Sequence, residues 1–202
     1  SFSRFVAACD QLSSHEISRF LNAQANIQKA ELINTMQKRD AVEAVRRYLV
    51  AAHFPGRIAN LIVNAVDELL MNAMYDAPVD EFGKHLYTMT SRNQPRPLDG
   101  NAKIVMSLGF DGDTVAISVT DHYGSVDRQK LLNHVSSNYN RRAYMISATN
   151  AGAGLGVANV FRSGGSLIYL CESRVKTEVT LLYKASTNYR DFKKQFRFFS
   201  AQ

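Results

Sequence analysis

Residues 58–77, IANLIVNAVDELLMNAMYDA, constrain this chain more than any other stretch. Ile58, Ile62, Ala65, Leu69, Ala73 and Ala77 recur three or four apart, which is one face of an α-helix that has to be buried. Glu68, Asn72 and Asp76 follow one another at four-residue steps on the adjoining ridge. A carboxylate and a carboxamide one turn apart, beside a buried stripe, suit binding of a metal ion or polarisation of a hydroxyl. The competing reading is a solvated ridge on an ordinary helix, and the ridge alone does not choose between them.

The flanking sequence says what the stripe packs on. Residues 40–54, DAVEAVRRYLVAAHF, form a second helix with Val42, Val45, Leu49 and Ala52 on one side and Asp40 near its start. Pro55-Gly56 joins the two helices so tightly that they must lie side by side, and Pro78 closes the second. Residues 79–101 carry Gly83, Pro95, Pro97 and Gly100 and read as a long loop. It starts directly after the carboxylate ridge, so it either borders a site or is a plain insertion. Residues 103–110 and 113–120 alternate as strands around Asp111-Gly112, a two-residue hairpin signal. A short helix is expected over 126–135, and residues 136–150 are polar and irregular. Gly152, Gly154 and Gly156 then open a helix over 157–163 that Gly164-Gly165 ends. Residues 166–171 and 177–184 make a second strand pair. Residues 1–37 read as mostly helical, with a short edge strand within 30–36 as an alternative. Residues 186–202 read as a basic, helical tail with Phe192, Phe196 and Phe199 at helical spacing.

Helices, hairpin, glycine loop, helix and hairpin in that order indicate an α+β fold: a two-layer sandwich with a mixed, mostly antiparallel sheet and helices on one face. The chain divides into an N-terminal helical extension (1–37), a central domain (38–185) and the tail (186–202). At 202 residues, with 46% apolar and 21% charged, it is long enough for one substantial core of ordinary soluble type. No long apolar run and no leader pattern is visible, so a cytoplasmic location without membrane association is expected. The excess of 24 basic over 18 acidic residues is dispersed, apart from Arg141-Arg142 and 190–197. It favours an acidic partner protein or a phosphorylated ligand, and without a nucleic-acid motif it argues against direct nucleic-acid binding. Cys9 and Cys171 have no companions at metal-ligand spacing and read as free thiols of a reducing compartment.

Three separated segments carry chemistry. Glu68 and Asn72 lie on a helix; Asp121 ends a strand in TDHYGSVD, residues 120–127; and Gly152-Ala153-Gly154-Leu155-Gly156 leads into a helix. Glycines before a helix N-terminus leave backbone N–H groups to meet phosphate oxygens, which the helix dipole favours. The glycines do not follow a strand and have no Walker lysine, so neither the dinucleotide-binding fold nor the P-loop fits.

In this order and spacing, residues 40–184 resemble the Bergerat-type, histidine kinase-like ATP-binding domain of gyrases and sensor histidine kinases. The chain is most similar to the bacterial anti-sigma-factor serine kinases, with E-L-x-x-N-A-x-x-D-A over 68–77 and Ser-Val-Asp at 125–127. The resemblance implies ATP and Mg²⁺ as ligands. Glu68 would be the general base or water-orienting carboxylate, and Asn72 would ligate Mg²⁺, with Asp76 next along the nucleotide ridge. Asp121 would accept a hydrogen bond from the exocyclic amine of adenine. Gly124, Gly152, Gly154, Leu155 and Gly156 would cradle the nucleotide, and Thr177 matches a strand-end threonine near adenine. Residues 136–151 would be a lid from which Arg141 or Arg142 reaches the phosphates. The family's second segment reads D-x-G, whereas this chain has Tyr123 at the glycine and Gly124 one place later. A phenol there is expected to fill or reshape the purine pocket. Lys176 likewise stands where the family has glycine before the threonine.

The implied activity is phosphorylation of serine or threonine on a small antagonist protein, with binding of a sigma-factor-like signalling partner. Two alternatives stay open: a nucleotide-poor binding module on the same fold, and the catalytic domain of a sensor histidine kinase using His15 or a histidine elsewhere. The second needs a hairpin of two long helices, for which residues 1–37 are short. A homodimer through the N-terminal helices or the Phe-rich tail is also open.

Overall fold

A computed structural model describes residues 16–98, 100–127, 129, 131–133, 165–185 and 197–201. Two helices, α1 (Gln37–Ala51) and α2 (Gly56–Met71), lie against one face of a sheet built from β1 (Asn26–Leu32), β2 (Ile104–Phe110), β3 (Thr114–Asp121), β4 (Ser166–Glu172), β5 (Lys176–Lys184) and β6 (Arg197–Ala201). The spatial order is β1-β2-β3-β5-β4-β6. Every neighbouring pair is antiparallel except β4 with β6, so the fold is the expected two-layer α+β sandwich.

Burial, not capping, holds α2. Pro55 stands at its N-cap and supplies no side-chain hydrogen bond, yet nine of its residues are buried, among them Ile58, Ile62, Leu69 and Leu70. A good cap is worth about 1 kcal/mol, whereas each fully buried aliphatic side chain contributes about 1.5–3 kcal/mol. Val45 and Leu49 of α1 join the same core, as do Val115, Ile117 and Val119 of β3. The intervening Ala116 faces the other side of the sheet, against Ile17 and Leu21 around a 3-10 turn at Ile17–Phe20. Alternation along β3 thus feeds two clusters, which is why the strand has few exposed positions.

Three expectations are corrected. Residues 26–32, read as mostly helical with a short edge strand within 30–36 as the alternative, form the edge strand β1, which meets that alternative over 30–32 and begins earlier, paired with β2 from Asn26↔Phe110 to Leu32↔Ile104. Six of its seven residues are exposed, so no apolar alternation marks it, and its backbone ladder is supplied by a strand some 80 residues away. Residues 197–201, expected in a helical tail, run parallel to β4 instead. Aromatic runs suit strands as well as helices, and the open edge of β4 decides between them. The turn between β2 and β3 spans three residues, 111–113, in place of two. Gly112 has φ +93°, and the Asp111 carboxylate accepts from the N–H groups of Asp113 (3.0 Å) and Thr114 (2.7 Å). Residues 131–133 are helical, with Leu131 N–H bonded to Asp127 O at 3.0 Å, as expected for the start of the short helix. His15 and Cys9 lie outside the described residues, and Cys171 is a buried free thiol. Among the described residues no helix is long and apolar enough to cross a membrane.

Candidate functional site

The helix that begins as α2 does not run on evenly to Ala77. Residues Asn72–Asp76 form a π-helical turn, closed by Ala77 N–H to Asn72 O at 2.8 Å. Asn72 and Asp76, the first and last residues of this turn, both reach one cavity. A π turn leaves backbone carbonyls mismatched, and the loop over 79–98 meets one of them. The Arg96 guanidinium donates through Nη2 to Met74 O and stacks over Tyr87 at 3.8 Å, with Tyr75 at 5.7 Å. Tyr75 returns a bond from its hydroxyl to Arg92 O (3.3 Å), and Thr35 exchanges bonds with the Arg96 backbone (both 2.9 Å). Arg96→Ala is therefore expected to lower stability by about 1–3 kcal/mol, since it strands a carbonyl and removes a stacked cation. Arg96→Lys should recover only part of that, because an ammonium reaches the carbonyl without the planar stack. Denaturant midpoints of the three proteins check this, and indistinguishable midpoints would show that the loop does not hold the turn.

Asn72 and Asp76 line a cavity of about 320 Å³ between the end of α2 and the ends of β3, β4 and β5. Asp121 and Thr177, directly paired across β3 and β5, form its floor with Val119, Tyr169 and Val179. Leu69, Ala73, Val126 and Leu131 complete an apolar wall, and Ser125 fastens the strand-end loop to the helix by donating to Ala77 O at 2.7 Å. Asn72 Oδ1 and Asp76 Oδ2 are buried without a hydrogen-bond partner among the described residues. Such atoms are rare unless something outside the chain satisfies them.

Asp121 is 6% exposed. Burial pushes its carboxyl up to about 6, opposed by the Tyr123 and Gly124 N–H groups, His122 and the Thr177 hydroxyl. The Tyr123 N–H donates to Oδ1 at 2.9 Å; Thr177 Oγ1 stands near the carboxylate without closing a hydrogen bond of its own. Burial also raises Asp76, with Arg92 and His85 pulling it back. Glu68 is raised by burial too, and here Arg92 opposes while Asp67 and Asp76 reinforce. Burial drives the Tyr169 phenol far above its ordinary range, so it stays neutral.

The sequence-derived residues therefore divide. Asn72, Asp76, Asp121 and Thr177 converge on the cavity. Glu68, one turn earlier, stands beside Asp76 and Arg92 but off the cavity wall. Gly124 also lies off it, packed against the β4–β5 turn, where Arg174 N–H bonds to Gly124 O at 3.1 Å. Tyr123 does not line the cavity: its half-buried phenol lies near Tyr87, Arg96 and Asp121, so of the two expectations it does not meet that of filling the pocket. Arg141, Arg142, Gly152, Gly154, Leu155 and Gly156 lie outside the described residues. Gly83 and His85 join the wall without any motif to announce them. They reach the cavity because Asp80 Oδ1 caps a tight turn to Phe82 and Lys84 N–H (each 2.9 Å) and Leu86 N–H returns to Pro78 O. The position of the loop after the ridge is their only signal in the sequence.

Chemically, the cavity offers an apolar wall, a buried carboxylate acceptor at its floor, and the unpartnered amide and carboxylate oxygens of Asn72 and Asp76. Among the described residues no three His, Cys, Asp or Glu side chains cluster to hold a metal by themselves. No protein-family model and no curated protein matches this chain. Among solved structures, a chain of the SiaB-SiaC complex from Pseudomonas aeruginosa is similar at 15% identity with a TM-score of 0.46, covering 90% of this chain and 99% of that one.

Proposed function

We propose that the cavity binds the adenosine end of ATP and that the chain is an ATP-binding regulatory protein of the anti-sigma-factor type. In this reading it phosphorylates serine or threonine on a small antagonist protein and binds a signalling partner. The observation that carries the proposal is the convergence of Asn72, Asp76, Asp121 and Thr177, from three distant segments, on one mostly apolar cavity. Asp121 accepts from the exocyclic amine, and the apolar wall of Leu69, Val119 and Tyr169 holds the ring. At about 320 Å³ the cavity suits a nucleoside better than a whole triphosphate, so the phosphates leave past Asn72.

Mg²⁺ fits this position, since it takes one or two protein oxygens plus substrate phosphates, and Asn72 Oδ1 is buried and unpartnered; when bound, it neutralises phosphate charge. In this reading Glu68, off the cavity wall and with its carboxyl raised by burial, orients a hydroxyl outside the cavity.

Calorimetric titration with Mg-ATP and Mg-ADP tests the proposal. Wild type should bind both. Asn72→Ala should bind at least about tenfold more weakly and lose the difference between Mg²⁺ and EDTA buffers. Absence of binding heat for either nucleotide in the wild type overturns the nucleotide reading, and unchanged Mg²⁺ dependence in Asn72→Ala overturns the metal role.

A further inference from the structure

β1 is an edge strand, and its outer side has no strand partner among the described residues. Asn26 through Glu31 are exposed, and Ile27 and the following Ile33 are 37% and 50% exposed although both are large and apolar. Exposed edges of this kind either are blunted or pair with another chain. Ile27, Lys29 and Glu31 alternate within β1, so they share one face of the sheet. We propose that β1 pairs antiparallel with β1 of a second copy, on a two-fold axis through Ala30.

Charge picks this occupant and this register. Centring on Ala30 sets Lys29 of each copy opposite Glu31 of the other, twice. Centring one residue earlier sets Lys29 against Lys29, and one residue later Glu31 against Glu31. Opposite charges directly across a ladder stabilise it, while like charges oppose it. Lys29 is therefore both the deterrent to unrelated strands and the key to the matching one. Glu31 already bonds Lys103 at 2.7 Å, both half exposed, which holds its carboxylate low and presents it at the edge. The pairing joins two sheets into one. It is independent of the nucleotide reading.

Sedimentation equilibrium of the full chain tests it, with circular dichroism to confirm that each variant folds. The wild type should sediment at twice the chain mass at micromolar concentration. Lys29→Glu and Glu31→Lys should each self-associate at least about tenfold more weakly, because each replaces both attractive pairs with repulsive ones. Mixed in equal amounts, the two variants should recover the double mass. The carboxylate introduced in one variant then faces the ammonium introduced in the other, and the unchanged Glu31 of the first faces the unchanged Lys29 of the second. A wild type that stays monomeric, single variants that associate like the wild type, or a mixture that stays monomeric would each overturn the proposal.

Discussion

Asp121→Asn is expected to stabilise the ligand-free protein at pH 8 and to abolish its response to nucleotide. Burial raises the Asp121 carboxyl to about 6 from an ordinary 3.8, so the folded state favours the protonated form. Between about pH 4 and 6 the native protein holds a proton that the unfolded chain has released. Its stability therefore falls as pH rises through that window, by about 3 kcal/mol in total. Above pH 6 the native state carries a buried charge that asparagine lacks, and the variant should be the more stable by about 1–3 kcal/mol. The difference between the two pH–stability profiles isolates this group. Glu178, which burial pushes up to about 7, titrates over an overlapping range in both proteins.

Ligand binding should move the opposite way. The Tyr123 N–H will hold the amide oxygen where Oδ1 stands, leaving the amide nitrogen to face an N–H donor on the ring. Loss of a charge-assisted hydrogen bond together with a donor–donor contact should weaken Mg-ATP by roughly a hundredfold or more. The melting-point rise with Mg-ATP should then vanish. Retention of that rise would remove Asp121 from the base-binding role, and an unchanged profile without ligand would mean the carboxyl is not strained.

Gly124→Ala should lower stability by on the order of 3 kcal/mol, for reasons unrelated to phosphate or purine. Gly124 has φ +55°, and a Cβ there would lie 2.1 Å from Glu172 O and 2.7 Å from Arg174 N. These are backbone atoms of the β4–β5 turn and cannot swing aside as a side chain would. Gly112→Ala is the control, because Gly112 has φ +93° with nothing near the new Cβ. It should show only backbone strain, about 1–2 kcal/mol. Chemical denaturation of both variants gives the comparison; equal losses would show that the turn yields and that contact is not what requires the glycine. Displacing the turn also displaces Thr177, one residue after the first position of β5, so Gly124 supports the cavity from behind.

The TDHYGSVD stretch shows how much of the site was legible. Asp121 as the acidic end of a strand was plain from β-branched alternation that stops at a polar run. The purpose of the glycine beside it was not, because glycine marks a close approach without naming what approaches. Tyr123 is similar: its position in the chain suggested a filled or reshaped pocket, and its ring lies off the cavity wall, near Tyr87, Arg96 and Asp121. Likewise, Glu68, Asn72 and Asp76 lie on one ridge by spacing. The structure brings the second and third, on the π turn, to the cavity and leaves the first, on the α-helix before it, off the cavity wall.

By itself the sequence determined the buried stripe of α2, the strands β2 to β5 and their layering. Hydrophobic periodicity records which side of an element is removed from water, and these elements each have a clearly buried side. Only the tertiary structure decided the edge strands β1 and β6, the π turn held by Arg96, and the entry of His85 into the cavity wall. Those features rest on hydrogen bonds made by backbone or by polar side chains, local for His85 and long-range for the others, and neither kind leaves a periodic trace.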